Sequence, residues 1–270
     1  MKIAIQGEAA SFHEVAAQQF FGRDDATIVP CNTFTDVFKA LKNDTVDAAV
    51  VAIENSLYGS IREVVDLCLA HHYPIVGEVV LHIHQQLIVF PDAQKSDIKR
   101  IFSHPVALDQ CRDYLEKNFP DAELVEHHDT AGAVEFIKEH DLKNAAAIAS
   151  AAAAKLHGMH ILEHEIEDEK INFTRFVVIQ KKSREIKDAN KASLILSTSH
   201  QPGALYHALG VFAHYDANLT KLESRPIRGE HFKYQFFVSV EIDHATLDIA
   251  IEELKVQDCN VILLGHYQTA

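Results

Sequence analysis

Asn172-Phe173-Thr174-Arg175-Phe176 stands between an acidic run, Glu163 to Glu169, and the apolar run Val177-Val178-Ile179. A polar loop hands over to a buried strand there, so an amide, a hydroxyl and a guanidinium are interleaved with two phenyl rings. Donors beside an anion and aromatic surface beside a ring are what a pocket for an aromatic acid requires. A plain strand with Phe173 and Phe176 turned inward accounts for the same five residues equally well. The rest of the chain has to decide between the two.

Upstream, the pattern is that of strands alternating with helices. Lys2 to Gln6 reads as a strand, Ser11 to Phe21 as a helix with Ser11 as N-cap and Glu14 completing a capping box. Ala26 to Cys31 is a second strand and Thr35 to Asn43 a helix. Asp47 to Ile53 is a continuous apolar run, the mark of a strand covered on both faces, and it leads through Glu54 to Ser60 into a helix from Ile61 to His71. The alternating stretch Pro74 to Phe90 reads as a crossing between lobes. A new series follows: a strand at Arg100 to Ser103, a helix from His104-Pro105 to Asn118, a strand at Glu123 to His127, a helix from Asp129-Thr130 to His140, a strand at Ala145 to Ala149 and an alanine-rich helix to His157. Met159 to Leu162 then returns to the opening motif. The charged segment Lys181 to Lys191 reads as a linker. Beyond it the order becomes strand, helix, strand, strand, helix, strand, a βαββαβ unit of ferredoxin-like type.

Composition narrows the function classes. The chain has 270 residues, of which 47% are hydrophobic, enough apolar area for one large or two medium domains. A formal charge of −14 argues against a nucleic-acid groove and against anionic membranes as partners. No apolar segment after Met1 is long enough for a signal peptide or a membrane span, so a cytoplasmic protein is expected. Cys31, Cys68, Cys111 and Cys259 form no C-x-x-C pair, which suggests ordinary buried thiols. The 18 histidines include adjacent pairs but no H-E-x-x-H, and they read as surface groups; no metal is expected.

An anionic substrate must then be captured by local donors. Four loops follow a strand and open a helix: Gly7 to Ser11, Asn55 to Ser60, Ser103-His104 and Asp129-Thr130. Helix N-termini offer free N–H groups and partial positive charge, and in open α/β sheets ligands gather at the carboxyl ends of strands. Serine and threonine at such positions are also simply good caps. Four together, with Arg175, point to an anion-binding cleft between two lobes.

With these residues gathered, the chain resembles monofunctional prephenate dehydratases that carry a C-terminal ACT regulatory domain. The resemblance spans essentially the full length and rests on Ile53-Glu54-Asn55-Ser56 with Gly59-Ser60, Ser103-His104-Pro105 with Ala107-Leu108 and Gln110-Cys111, Asp129-Thr130-Ala131, and Asn172 to Phe176. Gly203-Ala204-Leu205 with Leu209, and Glu223-Ser224-Arg225-Pro226, extend it into the second domain. It implies an α/β protein whose catalytic domain, residues 1–181, is two-lobed and similar to type II periplasmic binding proteins. Lobe 1 is expected at about 1–76 and 160–181, lobe 2 at about 77–159, then a linker at 182–191 and the ACT domain at 192–270. No chorismate mutase-like region precedes Lys2, so a fused bifunctional arrangement is not expected.

The reaction implied is loss of carbon dioxide and water from prephenate to give phenylpyruvate, without a cofactor. Feedback by L-phenylalanine is implied where ACT domains pair, through Gly203, Ala204, Leu205, Leu222, Glu223, Ser224, Arg225 and Pro226, in a homodimer or homotetramer. Thr174 is assigned to the leaving hydroxyl and Arg175 to the substrate carboxylate. Ser11, Phe12, Asn55, Ser56, Gly59, Ser103, His104, Thr130, Asn172 and Phe176 are the other expected substrate contacts, and Glu54 and His13 the expected proton relay, beside which His104 also titrates. Only one of Phe173 and Phe176 can face the ring, by the period of two. The first loop departs from the family pattern: Ala10 stands at the usual glycine, where a positive φ would carry strain, and His13 at the usual hydroxyl. Two readings stay open beside this one: arogenate dehydratase, for which Glu8 would meet the substrate amine, and a non-catalytic sensor of amino or aromatic acids.

Overall fold

A computed structural model describes residues 1–227 and 229–269; Ala270, the last residue of the expected C-terminal domain, lies outside them. The chain opens with β1 (Lys2–Gln6), α1 (Phe12–Phe21), β2 (Thr27–Cys31), α2 (Phe34–Lys42), β3 (Ala48–Asn55), a short β4 (Gly59–Ser60), α3 (Arg62–His71) and β5 (Ile75–His82). Next come β6 (Gln86–Val89), β7 (Arg100–Ser103), α4 (Pro105–Gln110), α5 (Arg112–Asn118), β8 (Glu123–Glu126), α6 (Thr130–Glu139), β9 (Ala145–Ala149), α7 (Ala151–His157) and β10 (His160–Glu163). β11 (Phe173–Gln180) closes this part, and β12 (Lys191–Ser197), α8 (Ala204–His214), β13 (Asn218–Pro226), β14 (Tyr234–Glu241), α9 (His244–Val256) and β15 (Asn260–Tyr267) follow.

The strands form three sheets, ordered β2-β1-β3-β11-β5 with β4 beside β3, β10-β6-β9-β7-β8, and β13-β14-β12-β15. In the first, β1, β2 and β3 run parallel, and β11 is inserted antiparallel between β3 and β5. The lobes divide at other residues than the sequence suggests. β5 pairs with β11 in the first sheet, so the outward crossing falls after His82 instead of near residue 76. β10 pairs with β6 in the second sheet, so the return falls after Glu163 instead of at 160. Alternation marks both segments as strands but does not name their partners. The expected helix from Pro105 to Asn118 is broken at Cys111, whose φ of −115° and ψ of 17° leave the helical region. Ser11 does cap α1, accepting from Glu14 N at 3.5 Å, yet the Glu14 carboxylate bonds Ala10 N at 2.5 Å instead of completing a box on Ser11.

β11 feeds two cores at once, because its side chains alternate. Phe176 and Val178 pack with Ile3, Ile5 and Ala16 on the α1 side, while Val177 and Ile179 pack with Phe38, Val64 and Val65 on the α2 and α3 side. Sheet β13-β14-β12-β15 carries α8 and α9 on one face through Ala208, Phe212, Leu247 and Leu254. Its other face is not left to solvent: Ile195, Phe237, Leu264 and Tyr267 join Val177 and Ile179 in one cluster. Between these apolar groups Lys191 Nζ meets Glu78 Oε2 at 2.8 Å, each side chain 3% exposed. Among the described residues no helix is long and apolar enough to cross a membrane.

The backbone of the C-terminal sheet passes close to that of the first lobe at Gly265, where a Cβ would lie 1.9 Å from the Ile75 carbonyl oxygen. A backbone atom cannot step aside as a side-chain tip can. Gly265→Ala should therefore destabilise the protein by about 1–3 kcal/mol, seen as a lower urea midpoint; an unchanged midpoint would show that the two domains are not held at this spacing.

Candidate active site

A cleft of about 370 Å3 opens where the two lobes face each other, within the usual size of a small-ligand site. Its walls come from the loops that follow β1, β3, β7 and β8, and from β11. Thr174 and Phe176 face it, whereas Arg175 does not, as the strand period requires. Of the expected contacts, Ser11, Phe12, His13, Asn55, Gly59, His104, Thr130, Thr174 and Phe176 line the cleft.

Thr174 is positioned by its neighbour on β3. Asn55, directly opposite it in the ladder, donates its amide to Thr174 Oγ1 at 3.0 Å. The hydroxyl oxygen is thus an acceptor within the protein, and its own proton is left to donate elsewhere. The same amide meets Asn172 Oδ1 at 2.8 Å, and Asn55 Oδ1 accepts from Leu57 N and Tyr58 N at 2.9 and 3.1 Å, so the side chain is pinned at both ends.

Five expected contacts have other work. Arg175 is absent from the cleft wall; it turns to the opposite face, where Nη1 lies 3.2 Å from Glu54 Oε2. Glu54 shares that face and is likewise no relay in the cleft, being held between Arg175 and Lys221. A bulge in β3, where the register to β11 shifts between Arg175 and Phe176, sets this parity. Ser103 is fully buried and donates to Ile148 O at 2.6 Å. Asn172, also fully buried, braces Asn55 from behind. Ser56 ties the strand start, accepting from Phe173 N at 2.9 Å and donating to Ile171 O. Phe173 lies outside the cleft, stacked on His82 with centroids 4.5 Å apart.

Three histidines line the wall, His13, His104 and His128, and the first two are neutral donors. Ala52 N–H points at His13 Nε2 (3.2 Å), which places the ring proton on Nδ1, and burial beside Phe34 and Phe176 lowers its pKa to about 4. His104 Nδ1 accepts from Val106 N as the cap of α4, leaving Nε2 to carry the proton; burial lowers its pKa too, partly opposed by Asp129 and Glu126. Neither is a cationic acid at neutral pH. Sequence reasoning named Gln110 only as part of a family motif and gave it no role, and it passed over Gln85; both line the cleft and bond to each other at 3.0 Å through Gln110 Oε1, turning the Gln110 amide N–H2 the other way. Tyr58 was also missed; its hydroxyl reaches across the mouth to Asp109, and burial with that bond raises its pKa to about 12.

No lysine or arginine among the described residues lines the cleft. Ser11, Ile61 and Thr130, at the starts of α1, α3 and α6, line it instead, positions where helix-start N–H groups and dipoles favour an anion. The lobes meet tightly on the floor: Gly7, at φ 92°, leaves no room for a Cβ beside Asp129 Oδ2, and Ser150 Oγ donates to Ala10 O at 2.7 Å. Ala10 does adopt a positive φ, 63°.

In the C-terminal domain Ala204 and Leu205 line a cavity of about 380 Å3 beside Gly203, which takes φ 82° as the N-cap of α8. Leu222, Ser224 and Pro226 lie on β13, an edge strand, and do not reach this cavity. Glu223 shares their strand, but Arg225 turns to the catalytic lobe and bonds Asp66 at 2.6 and 2.7 Å.

An interlobe cleft lined by helix starts and neutral side-chain donors, on a scaffold docked to a βαββαβ domain, defines a two-lobed α/β enzyme with a ferredoxin-like second domain. Residues 3–184 match the family model described as prephenate dehydratase, and residues 192–258 that of the ACT domain. The chain belongs to the prephenate dehydratase family, with an ACT domain at its C-terminal side. A bifunctional chorismate mutase/prephenate dehydratase of Aquifex aeolicus (strain VF5) is 37% identical over 272 residues, covering 100% of this chain and 74% of the relative. Arogenate dehydratase 2 of Petunia hybrida is 38% identical over 261 residues, 91% of this chain and 65% of its own length. Among solved structures, prephenate dehydratase of Arthrobacter aurescens in complex with L-Phe superposes with a TM-score of 0.89 at 28% identity, over 99% of this chain and 90% of that one. A protein described as a novel type of quorum quenching acylase, GqqA, superposes at 0.88 with 32% identity, over 100% and 98%.

The burial of His13 has a consequence for stability. Its folded pKa lies below the ordinary 6.5, so stability is complete above pH 6.5 and falls as pH drops toward about 4, where the unfolded chain takes up a proton the folded ring refuses. His13→Asn keeps an N–H donor that does not titrate. Between pH 7 and 4.5 the variant should lose about 2 kcal/mol less than the parent in urea unfolding; equal losses would mean that the ring is not held neutral.

Proposed function

We propose that this protein converts prephenate to phenylpyruvate, carbon dioxide and water, and that L-phenylalanine regulates it through the ACT domain. The observation that carries the reading is Thr174, facing the cleft with its oxygen already satisfied by Asn55 and its proton free. The bond from C1 to the departing carboxylate breaks, its electron pair enters the ring, and the C4–O bond breaks as the ring becomes aromatic. The leaving hydroxyl takes up one proton, supplied by solvent water, to become water. Thr174 donates a hydrogen bond to that oxygen, stronger as charge develops than in the bound substrate. Its own pKa is too high for it to give up a proton outright, and His13 and His104, held neutral, serve as donors that orient the carboxylates. A wall with no lysine or arginine among the described residues leaves the departing carboxylate poorly compensated, which favours its loss as neutral carbon dioxide.

Prephenate is preferred to arogenate in this reading because Glu8, the carboxylate expected to meet an amine, does not line the cleft, and Asp129 is engaged as the cap of α6, accepting from Gly132 N through Oδ1 at 2.8 Å. Residues 1–181 carry the chemistry and residues from 192 onward the regulation. The effector's place is the cavity at Gly203-Ala204-Leu205, completed by Leu222 to Pro226 of a second copy in a homodimer or homotetramer; the L-Phe complex of the Arthrobacter relative supports the choice of ligand. The four free cysteines suit the reducing cytoplasm.

The test is phenylpyruvate formation from prephenate by the purified protein, with and without phenylalanine and with arogenate in parallel. Thr174→Ala should lower kcat by about 10²- to 10³-fold in a folded protein, the usual effect of losing one preorganised donor. An intact rate in that variant would remove Thr174 from the mechanism. Turnover of arogenate alone would keep the chemistry and change the substrate, and no turnover of either with tight phenylalanine binding would make the protein a sensor.

A further inference from the structure

Behind the cleft wall, five charged side chains meet where the ACT sheet rests on the first lobe. Glu54, Glu78 and Arg175 belong to the catalytic sheet, Lys191 and Lys221 to β12 and β13. The Lys221 side chain is 2% exposed; its Nζ contacts Glu54 Oε1 at 3.3 Å and hydrogen-bonds Ser60 Oγ. Glu54 also faces Arg175 at 3.2 Å, but no well-angled hydrogen bond forms, and Arg175 Nε and Nη1 are buried without a hydrogen-bond partner among the described residues. Glu54 is therefore contested by two cations, and only Lys221 satisfies it.

Both groups that Lys221 holds adjoin the reacting centre. Glu54 precedes Asn55, whose amide fixes the Thr174 hydroxyl, and Ser60 pairs with Glu54 across the β3–β4 ladder while lining the cleft itself. Lys221 in turn precedes Leu222-Glu223-Ser224-Arg225-Pro226 on the same strand. We propose that Lys221 is a positioning residue of the active site: reaching out of the ACT domain, it sets Glu54 and Ser60, and through them the Asn55–Thr174 bond, so that a shift of β13 alters the donor that acts on the substrate. The proposal rests on the dehydratase reading of the cleft. A second cross-domain ion pair, Arg225–Asp66, touches neither Glu54 nor Ser60 and so supplies an internal control.

The experiment compares the whole protein with Lys221→Met, which keeps the length and apolar stem of the side chain, Lys221→Arg, which restores the charge, and Asp66→Asn. Each is assayed for kcat and KM on prephenate, with and without phenylalanine, and for hydrogen exchange of the peptide covering residues 53–62. Lys221→Met should lower kcat by about tenfold or more while moving KM much less, weaken suppression by phenylalanine, and speed exchange at 55–60. Lys221→Arg should recover part of each effect, and Asp66→Asn should leave kcat within about twofold. A role as mere domain cement would lower stability in Lys221→Met without this kcat-specific loss. If Lys221→Met folds with kcat and exchange at 55–60 within about twofold of the parent, the proposal is overturned. Should that variant not fold, Glu54→Gln, with Lys221 in place, must show the same pattern or the proposal falls. If the parent protein does not turn over prephenate, the functional reading fails, while exchange at 55–60 still decides whether Lys221 orders that loop.

Discussion

The alternation of side chains along β11 is the constraint on which the arrangement depends. One strand, inserted antiparallel between β3 and β5, presents Thr174 and Phe176 to the interlobe cleft and Arg175 and Val177 to the ACT sheet. Catalytic wall and domain interface are thus two faces of the same backbone, separated by the thickness of a sheet. A change of parity at Asn172 to Phe176 would exchange the guanidinium for the hydroxyl in the cleft. The β3 bulge beside Arg175 keeps the two strands in the register that puts Asn55 opposite Thr174.

Electrostatics divide along the same line. Cations gather behind the wall, where Lys191 and Lys221 pair with Glu78 and Glu54, and are absent from the described lining in front. A buried ion pair repays its desolvation only with good geometry, so these pairs are better understood as setting position than as adding stability. In front, helix starts and the neutral imidazoles of His13 and His104 stand in their place. The strain of Ala10 at φ 63° and the close contact of Gly7 with Asp129 lie on the cleft floor, where backbone of one lobe touches side chains of the other.

Much of this was legible in the sequence. Strand and helix periods gave the order of elements, the four loops after strands gave the anion-binding ends, and ordered short motifs gave the family. Helix ends were within a residue or two because caps such as Ser11, Thr33 and Asp129 are local chemistry. Residues whose neighbours are remote in sequence were not legible: Gln85 and Gln110 meet only because the second lobe folds them together, and Ser103, chosen for a hydroxyl beside a helix start, is spent on Ile148 O.

The sequence by itself determined the order of strands and helices and the short motifs of the family, since propensity, capping and apolar period act over a few residues. Only the tertiary structure decided which way each of them faces and what it pairs with. Arg175 illustrates the difference: a guanidinium beside the Thr174 hydroxyl reads as a carboxylate clamp, yet neighbours on a strand point to opposite sides, and the face that Arg175 receives is covered by a sheet whose first strand begins 16 residues later at Lys191. Strand parity is local, but what covers each face is set by packing across the whole chain.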